Sequence, residues 1–134
     1  MQPIDPAISE LAKTYVAYLQ SDDKALRWAS RDVVDLCIKG PWERLWQLVQ
    51  AIVALPEEPE PEALATIAAG PLEDLLANAG PDYIAAIEDL ARSNARAARM
   101  LTGVWPSTIH PAVWQRVVTF CRTVPDPLDG VYRY

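Results

Sequence analysis

The chain predicts an all-α fold, a single compact domain of about seven or eight short helices, and three observations carry that expectation. Apolar residues recur at i, i+3, i+4 and i+7 along nearly the whole length, and no strand-type alternation is sustained. Gly-Pro steps at positions 40–41, 70–71 and 80–81 break the pattern at short intervals, glycine suiting the end of one helix and proline the first turn of the next. A chain of 134 residues, 51% hydrophobic and 22% charged, is long enough for one core and too apolar to be disordered throughout.

Asp5 can cap a first helix with Pro6 in its first turn, and Ile8, Leu11, Ala12, Tyr15, Tyr18 and Leu19 form its inward stripe. A second helix follows Ser21-Asp22-Asp23, turns Leu26, Ala29, Val33, Leu36 and Cys37 inward, and stops at Gly40. Pro41 opens a third, striped by Trp42, Leu45, Trp46, Val49, Ile52 and Val53 and widened by Leu48 and Leu55. Residues 56–62, PEEPEPE, cannot continue a helix and read as an extended, charged surface connection. Short helices then follow at about 61–69, 71–79 and 81–92, with Leu72, Leu75 and Leu76 facing the core and Glu73 and Asp74 complementing a helix dipole from its first turn. Asn94 caps a helix to Leu101, and His110-Pro111 opens the last, which carries Val113, Trp114, Val117, Val118 and Cys121. Links this short make antiparallel neighbours, so the expectation is stacked helical hairpins of HEAT type over residues 1–124. Residues 125–134, PDPLDGVYRY, read as a C-terminal tail that Val131, Tyr132 and Tyr134 could dock.

The pattern excludes most chemistries. His110, the single histidine, reads as a helix cap, and no metal or other cofactor is expected because neither Cys37 nor Cys121 has a ligand at useful spacing. Both cysteines are expected to be reduced, buried thiols. No Ser, Thr or Cys lies in a nucleophile motif and the five glycines form no phosphate-binding loop, so no enzyme activity is expected. Glu73, Asp74, Glu88 and Asp89 form the one constellation that could converge as an acid–base pair or a magnesium site, although each also fits an ordinary exposed helix position. Of the five tryptophans, Trp28, Trp42, Trp46, Trp105 and Trp114, four fall on or beside core stripes, which favours packing over a stacking platform. No apolar run approaches the roughly 18 residues of a membrane span, and residues 1–10 lack the pattern of a signal peptide, so a cytoplasmic protein is expected.

Charge is distributed unevenly. Residues 1–44 carry seven acids and six bases, and residues 92–134 carry two acids and six bases. Between them lie nine acids and no base: Glu57, Glu58, Glu60, Glu62, Glu73, Asp74, Asp82, Glu88 and Asp89. A concentrated anion of this kind repels nucleic acid and attracts a basic protein. Arg92, Arg96 and Arg99 share one helix face and suit internal pairing with those acids.

The motif AAGPLEDLL, Ala68 to Leu76, is followed by Gly80, Ile87-Glu88, Val104-Trp105 and a final helix containing Val113-Trp114. With the region around Trp28 and Trp46, these residues make the chain, from about Trp28 to Arg122, resemble a bacterial family of small proteins of unknown function. The resemblance implies a helical fold and transfers no catalytic residue. The nine acids are therefore the expected partner-binding residues of a protein-binding module. Its most concrete form is an immunity-type inhibitor that masks a basic toxin or nuclease. The alternative is a helical scaffold or adaptor with no inhibitory role. Whether the chain is a monomer or a homodimer is open from sequence.

Overall fold

A computed structural model of the chain describes residues 3–128. Among them are seven α-helices: α1 (Pro6–Ser21), α2 (Arg27–Lys39), α3 (Trp42–Val53), α4 (Pro61–Ile67), α5 (Glu73–Ser93), α6 (Ala95–Leu101) and α7 (Pro111–Cys121). A 3-10 turn, Lys24–Leu26, leads into α2, and a π-turn, Ala68–Leu72, joins α4 to α5. The described residues contain no strand, and the chain is an all-α single domain.

The caps follow the local chemistry. The Asp5 carboxylate accepts from the Ala7 N–H at 2.9 Å, the Asn94 side chain from Ala97 at 3.0 Å, and His110 Nδ1 from Ala112 at 3.1 Å. Each satisfies an amide that a helix start would otherwise leave without a partner. Gly40 ends α2 with φ 71° and is joined to Pro41 by a cis peptide bond.

In one half of the molecule α1 packs against both α2 and α3; in the other, α5 packs against α6 and α7. The α4–π-turn segment and α3 join the halves, and Ile8, Leu45, Ile52, Leu64, Leu75 and Leu101 lie fully buried in one continuous core. Tyr83 on α5 donates its hydroxyl hydrogen to Glu43 on α3 at 2.9 Å, and its ring meets Trp46 at 6.1 Å between centroids. Arg96 on α6 closes the other end of α3. Its Nη1 donates to the Ile52, Val53 and Leu55 carbonyls at 3.0, 3.0 and 2.8 Å, while Nε pairs with Glu58 at 2.8 Å.

Two sequence expectations change. Gly70-Pro71 is not a break: the Glu73 N–H reaches back five residues to the Ala68 carbonyl, so the helix widens into a π-turn and continues. The physical reason is Pro71, which has no N–H to give the α-helical ladder; the wider turn resumes bonding past it. The expected boundary between helices at 71–79 and 81–92 holds: helical geometry is interrupted at Ala79 (φ −140°, ψ 25°), two residues before Pro81, and α5 is two helical segments joined across that kink. The second change concerns the tryptophans. Trp42, Trp46 and Trp114 pack against the core partly buried, but Trp28 and Trp105 are 45% and 43% exposed.

The core also runs beyond residue 124, into the segment read as a tail. Leu128 is fully buried, and its N–H donates to the Thr102 hydroxyl at 3.1 Å. Val131, Tyr132 and Tyr134 lie outside the described residues.

Candidate functional site

The π-turn sets Glu73 and Asp74 at the start of α5, facing two separate neighbours. Glu73 Oε1 accepts from the backbone N–H of Trp105 at 2.9 Å, which ties the loop after α6 to α5. Asp74 faces the Cys37 thiol of α2, near enough for the two groups to shift each other's titration. Gly103 brings the same loop close to the motif: a Cβ there would lie 2.8 Å from Ala68 Cβ and 2.9 Å from Leu128 Cδ1. The close approach of backbone to π-turn therefore requires glycine at this position.

The electrostatics of this corner are unusual for the molecule. Burial lifts Glu73 above the ordinary carboxylate range, with Asp74's charge adding to the rise and the Trp105 N–H opposing it. Burial likewise lifts Asp74, with the Cys37 thiol opposing the rise. The Cys37 thiol is itself pushed up to about 12 by burial and by the charge of Asp74, so it is protonated at neutral pH and is not a nucleophile. Among the described residues no Lys, Arg or His forms an ion pair with Glu73 or Asp74. Both are half-buried, and the exposed Trp105 stands beside Glu73.

The other expected site residues lie in different surroundings. Glu88 is buried and forms a two-pronged ion pair with Arg116 of α7, one contact being Nε to Oε2 at 3.2 Å. Asp89 pairs with Arg92 at 2.7 Å, and Glu58 with Arg96. Arg99 pairs with Asp126, so all three arginines are in internal contacts, but they do not share one helix face as expected: extended Asn94 (φ −143°, ψ 116°) separates Arg92 on α5 from Arg96 and Arg99 on α6. Glu57, Glu60, Glu62 and Asp82 are exposed and have no ion-pair partner among the described residues. The segment bearing Glu57, Glu58 and Glu60 is strapped to the body: the Glu60 N–H donates to Gln20 at 2.8 Å and Pro59 is buried.

Convergence of Glu73, Asp74, Glu88 and Asp89 is not what the fold produces. The two pairs lie on opposite sides of the kink at Ala79, Glu73 held by the loop after α6 and Asp74 facing α2, and the second pair is neutralised by arginine. Among the described residues no group of three or more His, Cys, Asp or Glu is placed to hold a metal ion, and no helix is long and apolar enough to cross a membrane. A groove of about 630 Å³ between α5, α6 and α7 is bordered by the Glu88–Arg116 pair, whose charges already satisfy each other.

Two partners in this corner are not evident from helical periodicity: on that pattern Cys37 belongs to the inward stripe of α2, and the tryptophans as a group favour packing. The signal for Trp105 was present, since it stands in a Val-Trp-Pro loop between helices and not on a stripe.

Residues 18–124 match the model of a family of unknown function, DUF6869, and this span includes the π-turn, both carboxylates, Cys37 and Trp105. The chain belongs to DUF6869. Neither a curated protein nor a solved structure matches it. For this DUF6869 protein, then, the corner built by the AAGPLED motif is the candidate site on its own geometry: two half-buried acids with no ion-pair partner among the described residues, one of them tied to the backbone of Trp105.

Proposed function

We propose that this chain is a protein-binding module, without enzyme activity, that receives a basic partner on its acidic middle third with Glu73 and Asp74 at the centre. The observation that carries the reading is the pair of half-buried carboxylates with no ion-pair partner among the described residues, Glu73 accepting from the Trp105 backbone. Burial makes their charged forms less favourable than in water, so a lysine or arginine from a partner would gain more here than at a solvated acid. Trp105, whose backbone is bonded to Glu73, is 43% exposed and adds the aromatic surface typical of an interface centre. Glu57, Glu60, Glu62 and Asp82, exposed and unneutralised, add a field that speeds encounter with a basic surface.

The inhibitory form of this reading is an immunity-type protein acting in the cytoplasm that covers the basic surface of a toxin or nuclease. Its support is the charge layout and the small size, nine acids without a base over residues 57–89 in a chain of 134 residues. The test is affinity capture from the source cells with the wild-type chain and with the Glu73→Gln/Asp74→Asn double variant, with bound proteins identified by mass spectrometry. A basic protein retained by the wild type, released by salt and lost with the double variant is the expected outcome. Equal retention by both chains would remove this corner from the interface.

A helical scaffold is the second reading, and one observation favours it: the exposed apolar side chains of α2, Trp28, Val34 and Ile38. It predicts binding that salt does not weaken.

A further inference from the structure

α2 is the least buried of the long helices. Of its 13 residues only Ala29 and Val33 are buried, while Trp28, Val34 and Ile38 are 45%, 50% and 68% exposed. At 3.6 residues per turn, Arg27, Trp28, Arg31, Val34, Asp35 and Ile38 fall within an arc of about 120° centred on Arg31, and all six are exposed. Positions 27, 31, 34 and 38 run with the four-three-four spacing of a helix-pairing seam. Arg27, Arg31 and Asp35 take part in no ion pair among the described residues.

The order of side chains along this face identifies its occupant. The N-terminal half is basic and aromatic (Arg27, Trp28, Arg31), and the C-terminal half is aliphatic and acidic (Val34, Asp35, Ile38). A second α2 laid antiparallel matches each half with its complement; a parallel one would set like on like. In the antiparallel register that puts Arg31 opposite Asp35 of the second copy, Trp28 comes opposite Ile38 of that copy, because both pairs are centred on Val33. The twofold axis repeats each contact. Arg27 and Lys39 share that register, but they lie about 120° apart around the helix and so on opposite edges of the contact. The helix dipoles oppose, which is also favourable. Local charge permits the approach despite a net −6, since residues 24–39 carry four bases and only two acids.

We infer that the outer face of α2 is a self-association surface, on which two copies of this chain pair α2 against α2 antiparallel about a twofold axis through Arg31–Asp35 and Trp28–Ile38 contacts. The inference is independent of the proposed partner site. Cys37, and with it Asp74, lies about 120° around α2 from Arg31, so pairing leaves both acid corners open on the dimer. One helix of this length covers less than the roughly 800 Å² per partner of a standard interface, so the association is weak and concentration-dependent.

Sedimentation velocity across a concentration series on the full chain tests it, with circular dichroism confirming helix content. The expected result is a monomer–dimer equilibrium in the micromolar range. Arg31→Glu and Asp35→Arg should each weaken it by about tenfold or more, because symmetry doubles every change. The Arg31→Glu/Asp35→Arg exchange should restore the dimer to within about threefold of wild type, since the same pairs form with their signs reversed. A wild-type chain that stays monomeric to several hundred micromolar would overturn the inference. So would a dimer that neither single reversal weakens, or an exchanged variant that dissociates as readily as the single ones.

Discussion

Arg96 and Asp74 show how differently one charged side chain can act in this molecule. The Arg96 side chain is only 10% exposed and serves three carbonyls at the end of α3 together with Glu58; the Ile52 carbonyl also accepts from the Leu55 N–H, whereas those of Val53 and Leu55 rely on the guanidinium. Replacing it with alanine takes the donor from the Val53 and Leu55 carbonyls and should cost about 2–4 kcal/mol. Arg96→Lys should recover only part, because an ammonium has no planar fork. Urea denaturation of the two variants checks both statements. Asp74 is the opposite case, a charge with no ion-pair partner among the described residues. Because burial raises its folded-state pKa, the folded chain holds more protons than the unfolded chain across the carboxylate range, and stability falls as pH rises through it. Asp74→Asn should therefore raise the melting temperature at neutral pH by a few degrees at most, worth less than about 1 kcal/mol since water still reaches the carboxylate. The gain should vanish at about pH 3, where most of the carboxyl is protonated in both states. Thermal melts at the two pH values decide it.

At the scale of elements, the AAGPLED segment joins two helices and meets a loop that carries Gly103. Gly103→Ala brings a methyl group within 2.8 Å of Ala68 and should destabilise by about 1–3 kcal/mol, as overpacking does. Gly70 is the control within the same segment: a Cβ there meets nothing within 4 Å, so Gly70→Ala should leave stability unchanged or raise it by up to about 1 kcal/mol. Chemical denaturation of the pair distinguishes a glycine required by packing from one that is not. The contrast has a physical source visible in the turn. Proline at 71 breaks the α-helical ladder, the π-turn absorbs the missing donor, and glycine at 70 is left with no conformational task of its own.

For the whole molecule the charge layout is a kinetic property more than a stability term. Glu58, Glu88 and Asp89 are neutralised by arginines from the last third, which leaves Glu57, Glu60, Glu62 and Asp82 exposed and, among the described residues, Glu73 and Asp74 without an ion-pair partner. Association with a basic partner should slow by roughly tenfold or more as the Debye length falls from about 30 Å at 0.01 M salt to about 8 Å at 0.15 M. Reversing Glu57, Glu60 and Glu62 to lysine should flatten that dependence while leaving the dissociation rate nearly unchanged. Stopped-flow or surface-based kinetics with the captured partner separates the two rates. If α2 pairs with its own copy, each dimer presents two such corners, and a multivalent partner would gain avidity from that arrangement.

Helical periodicity, Asp5, Asn94 and His110 as caps, and the inward stripes of α1, α3 and α7 are local properties, set by residues within a turn or two of one another, and the sequence by itself determined them. So did the concentration of acids over residues 57–89 and the AAGPLED motif that marks the family. Only the tertiary structure decided which acids keep their charge free, because pairing of Glu88 with Arg116 or Glu58 with Arg96 joins positions 28 and 38 residues apart. The same holds for the corner itself: Glu73, Asp74, Cys37 and Trp105 meet through a π-turn, a helix and a loop that no local pattern aligns. Exposure of Trp28, Val34 and Ile38 is likewise a fact of packing. Their spacing is helical, and whether a helical face is core or interface depends on what else the chain brings to lie against it.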